Sequence, residues 1–71
     1  MNKLYELRIR VNGQIVHNVC ATDPELLLNR FKEIATKGTW KSPIAEIVTY
    51  ANFGGVFEET ESQTLHPLQV L

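Results

Sequence analysis

The sequence predicts a small α+β domain of the form ββαββ, an antiparallel four-stranded sheet in the order 2-1-3-4 with one helix on one face. Three observations predict it. Leu4 to Val11 alternates apolar and polar residues and runs into Asn12-Gly13, a strong hairpin signal. Pro24 to Lys37 carries its apolar residues at helical spacing. Two further strand-like runs follow, separated by a turn at Asn52-Phe53-Gly54-Gly55.

In the first strand Tyr5, Leu7, Ile9 and Val11 share one face, and Glu6, Arg8 and Arg10 the other. Gln14 to Ala21 is the second strand, with Ile15, His17, Val19 and Ala21 on its more apolar face. Parity predicts a three-residue loop over Val11-Asn12-Gly13. That loop pairs Ile9 with Ile15, Leu7 with His17 and Tyr5 with Val19, whereas a two-residue turn needs a bulge further along to keep the apolar sets together.

Asp23 precedes Pro24 and is pushed out of the helical region, which makes it the N-cap with proline at the first helical position. Leu27, Leu28, Phe31, Ile34 and Ala35 then fall on one arc, and Gly38 terminates the helix. Trp40 to Pro43 connects to a third strand, Ile44 to Ala51, apolar on both faces. Trp40 is expected to plug the gap between the helix end and the sheet. Val56 to Thr60 is the fourth strand. Residues 1–61 form the single domain and residues 62–71 a C-terminal tail, where His66-Pro67 forbids a regular helix. A right-handed crossover from the second strand through the helix makes the third strand parallel to the second and favours placing it antiparallel beside the first, so 2-1-3-4 is the preferred order.

Charge is divided unevenly. All seven basic residues lie at or before Lys41, against Glu6, Asp23, Glu25 and Glu33. From Ser42 onward the only charged residues are Glu46, Glu58, Glu59 and Glu61. Such an asymmetry points to recognition of a surface. A lone Cys20 allows no internal disulfide, and Cys20, His17 and His66 are a poor metal set, so no metal or cofactor is expected. No apolar run approaches the roughly 20 residues of a membrane span. The N-terminal residues lack the apolar core of a signal peptide, and a cytoplasmic chain is the expectation.

No catalytic residues are assigned. Asp23 is a helix cap, and His17 a satisfied, partly buried histidine. His17 and Cys20, three apart in a strand, point to opposite faces, as do the neighbours Glu58 and Glu59. The expectation is a non-enzymatic protein–protein interaction module. Its partner-binding residues are Arg8, Arg10, Val16 and Tyr50 on the face opposite the helix, with Glu58, Glu59 and Glu61 at the acidic end. One helix covers one sheet face, and an apolar centre with Val16, Cys20 and one side of the third strand, rimmed by charge, fits an interface. The tail, through Leu65, Leu68, Val70 and Leu71, is the competing cover for that face. Two alternatives stand: a small nucleic-acid-binding domain using the Arg8/Arg10 strand face, and a structural homo-oligomer. A domain this small buries only about 60% of its unfolded surface. A homodimer or a tight complex, through the Arg8/Arg10–Val16 face or an edge strand, is therefore expected to supplement the core.

The size and the order of elements are similar to those of several small phage-encoded inhibitors, including some anti-CRISPR proteins. The resemblance covers no motif. It implies a mobile-element inhibitor acting by steric occlusion of a target surface, and it carries no residue across.

Overall fold

The structure, a computed structural model, describes residues 3–69. Strands β1 (Lys3–Val11) and β2 (Gln14–Ala21) precede helix α1 (Pro24–Lys37). Strands β3 (Ile44–Phe53) and β4 (Val56–Leu65) follow it, with a short 3₁₀ turn at Pro67–Gln69. The sheet is antiparallel throughout, in the order β2-β1-β3-β4. This is the α+β architecture that the sequence predicts.

The helix obeys its sequence signals. The Asp23 carboxylate accepts a hydrogen bond from the Glu25 backbone N–H at 3.0 Å. Gly38 takes the left-handed conformation, φ 68°, that closes the helix, and its N–H donates to the Ile34 carbonyl at 3.2 Å. Leu27, Phe31 and Ile34 are buried against Leu7, Ile9, Ala45, Ile47 and Leu65, with Tyr5, Val19, Ala21, Leu28 and Trp40 packed around them. Trp40 closes the helix end as expected, its ring 6.2 Å from that of His17.

The first hairpin departs from expectation. Asn12 and Gly13 both have positive φ, 53° and 80°, and form a two-residue turn that pairs Val11 with Gln14. Such a turn matches the twist of the strands it joins. Parity is restored by a bulge at Val16: Arg10 pairs with Ile15, and Ile9 with His17. Leu7 then meets Val19 and Tyr5 meets Ala21. Ile15 lies opposite Arg10, away from the apolar set, and is 51% exposed.

The fourth strand is longer than expected and runs through the 61/62 boundary to Leu65. Leu65 pairs with Ala45 and enters the helix-side core. The tail therefore does not cover the opposite face among the described residues: Leu65 faces the helix and Leu68 is almost fully exposed. Val70 and Leu71 lie outside the described residues.

The outer strands of a four-stranded sheet stand about 14 Å apart, and a helix with its side chains is about 10 Å across. One helix cannot cover that width. α1 packs on β1 and β2 and, less, on β3, while Leu65 is the one buried residue of β4.

Candidate functional site

Two surfaces hold the residues singled out from the sequence, Val16 excepted. The first is the sheet face away from the helix. There Glu6 and Arg8 of β1, Asn18 of β2, and Glu46 and Tyr50 of β3 converge through the registers of three adjacent strands. Arg8 donates to Glu6 Oε1 through Nε at 3.1 Å and to the Tyr50 hydroxyl through Nη2 at 2.9 Å. Tyr50 donates in turn to Glu6 Oε1 at 2.6 Å, and Asn18 donates to the other Glu6 oxygen. Arg10 Nη1 lies 2.6 Å from Glu46 Oε1, which also stands 3.6 Å from Arg8 Nη1.

The network is charge-balanced, with two guanidinium groups against two carboxylates. Burial alone would push Glu6 up, but the hydrogen bonds from Tyr50, Arg8 and Asn18 outweigh it and hold the carboxyl below its ordinary value. The same contact, with burial, pushes the Tyr50 phenol up. Val48 sits on this face, opposite Glu6 in register and between Glu46 and Tyr50 along β3, and is fully buried. Long polar side chains roof it. The expected apolar centre is thus a lattice of paired charges over one valine. The structure gathers Arg8, Arg10 and Tyr50, and leaves Val16 apart at the β2 bulge, 39% exposed.

The second surface is the β3–β4 hairpin. Its turn is Gly54-Gly55, and the Gly55 N–H donates to the Asn52 side-chain carbonyl at 2.9 Å. Lys3 of β1 is paired with Ala51, so among the described residues the hairpin projects beyond the β1 ladder with Phe53, Val56 and Phe57 at its tip. Those three are 56%, 59% and 46% exposed. A bulge at Thr60 lies behind them: Thr49 pairs with Glu61 and Tyr50 with Glu59, and the Thr60 hydroxyl donates to the Thr49 carbonyl at 3.2 Å. The extra residue puts Glu58 and Glu61 on the helix side of the sheet and Glu59 on the other. Without it, positions 58 and 61 would point apart. None of the three carboxylates makes an ion pair among the described residues. Beside Glu61 a cleft of about 460 Å³ opens between the helix start and β4, lined by Tyr5, Leu28, Ile47, Thr49 and Gln63 among others.

Sequence reasoning missed Phe53, Val56 and Phe57, which it read as turn and strand residues. A tight two-glycine turn flanked by large apolar residues was the available signal. It also took His17 as satisfied. His17 Nε2 is buried with no hydrogen-bond partner among the described residues, and its neighbour Trp40 packs on it as a tilted ring. Among the described residues no three potential metal ligands come together, and no helix is long and apolar enough to cross a membrane. No family model, curated protein or solved structure matches the chain.

Proposed function

We propose that this chain is a non-enzymatic protein-binding module, a small inhibitor-like domain that works by occupying a surface of its target. One observation carries the reading: the β3–β4 hairpin projects from the sheet with exposed Phe53, Val56 and Phe57 at its tip, and the carboxylates behind them make no ion pair among the described residues. Large apolar side chains gain little when left in water; by register Phe53 and Val56 lie on the helix side of the tip and Phe57 on the other, which suits burial against a partner that straddles the tip. The chain's size and order of elements suit the same role.

The paired charges of the opposite face favour protein over nucleic acid. Arg8 and Arg10 are already matched to Glu6 and Glu46, so phosphate would have to displace carboxylates.

The test immobilises the wild-type chain and a variant with Phe53, Val56 and Phe57 all replaced by Ser, and exposes both to lysate of the cells that produce it. Mass spectrometry of the retained proteins should show a stoichiometric partner held by the wild type and lost by the variant. Equal retention by both, or none by either, rejects the hairpin as the binding element. Oligonucleotide binding at low salt that disappears with Arg8→Ala and Arg10→Ala would favour the nucleic-acid alternative instead.

A further inference from the structure

We propose that the outer edge of β4 receives an extended basic segment of the partner protein as a fifth strand. The inference rests on the protein-binding reading above and specifies where and what the chain binds.

The sheet has two open edges, β2 and β4. Main-chain groups on an open edge need partners, and no backbone hydrogen bond outside the sheet ladders and the helix engages β4 among the described residues. The β2 edge carries no charged residue. The β4 edge carries Glu58, Glu59 and Glu61, and the Thr60 bulge distributes them over both faces. An incoming strand therefore meets carboxylates whichever way its side chains alternate. The run Glu61–Leu65 beyond the bulge stays in regular register with β3, which leaves a straight edge for pairing.

The cleft beside Glu61 adds side-chain selectivity. Tyr5, Pro24, Leu28 and Ile47 give its lining an apolar part, and Glu61, Gln63, Thr49 and Ser62 a polar one. That combination fits a lysine or arginine: the methylene stem covers the apolar part while the cationic head reaches the carboxylate. A second copy of β4 is the wrong occupant. Antiparallel self-pairing would set both copies' glutamates along one seam, with no Lys or Arg from Ser42 onward to balance them.

Short synthetic peptides test this on the isotope-labelled chain, with amide shifts as the readout. One peptide alternates Lys and Val; a second has Glu in place of Lys; a third is the first with a central Pro, which removes a ladder donor. The basic peptide is expected to shift amides of Glu61–Leu65, and to bind at least about tenfold tighter than the acidic one. The Pro peptide should bind more weakly than its parent. The combined variant Glu58→Lys, Glu59→Lys, Glu61→Lys, all at exposed positions, should reverse the preference. Equal binding of basic and acidic peptides, shifts confined to β2 or to the Arg8/Arg10 face, or indifference to Pro overturns the proposal. So does a self-associated protein with protected β4 amides. The broader reading is decided separately, by whether the Phe53/Val56/Phe57 variant loses its captured partner.

Discussion

Tyr50 donates its phenolic proton to Glu6 Oε1 at 2.6 Å, joining residues 44 apart in the chain across the β1–β3 ladder. The same hydroxyl accepts from Arg8 Nη2 at 2.9 Å, so one oxygen ties both members of an ion pair to the sheet. Glu6 is the most shielded carboxylate of the network, with 12% of its side chain exposed. A shielded charge left short of donors is costly, which gives this contact its structural weight.

Tyr50→Phe should destabilise the fold by about 1.5–3 kcal/mol at neutral pH, the scale of a hydrogen bond to a charged group. Urea unfolding measures it. No loss would show that water replaces the hydroxyl at no cost.

Acid should erode the same contribution. The Glu6 carboxyl titrates below its ordinary 4.5 in the fold. Its stabilisation is therefore complete above that value and is lost as pH falls through the lower folded value. The gap between wild type and Tyr50→Phe should narrow in urea unfolding below pH 4.5. A gap unchanged down to full protonation would mean that the hydroxyl stabilises something other than the carboxylate.

Phe31 is fully buried at the centre of the helix-side core. Phe31→Ala should cost about 3–5 kcal/mol, enough to unfold much of a domain this small. Circular dichroism against temperature reads it. A loss under about 1 kcal/mol would contradict the packing.

His17 tests the opposite sign. Its Nε2 is buried without a partner among the described residues, so His17→Leu removes a desolvated polar atom and keeps the packing against Trp40. Stability should hold or rise by up to about 1 kcal/mol. A comparable loss would show that Nε2 has a hydrogen-bond partner.

At the helix start, Asp23→Ala removes the side-chain acceptor for the Glu25 N–H and should cost about 1 kcal/mol. Asp23→Asn should recover most of it. Equal losses for the two would assign the effect to charge at the helix end and not to capping.

The sequence by itself determined the helix, its caps and the alternation of β1. Each depends on residues close together in the chain: Asp23-Pro24 fixes the helix entry and Gly38 its exit. The right-handed crossover rule favours the order 2-1-3-4, and the pairing of β1 with both β2 and β3 decided it. Only the tertiary structure decided what each sheet face became. The Val16 and Thr60 bulges change which residues share a face, and a bulge depends on the partner strand rather than on local pattern. The extension of β4 to Leu65 depends on Ala45 and the core behind it, not on strand propensity in Ser62-Gln63-Thr64. The Arg8/Arg10 face reads as a basic stripe in one strand. It became a neutral network because β2 and β3 deliver Asn18, Glu46 and Tyr50 beside it, contacts that exist only once separate strands are in register.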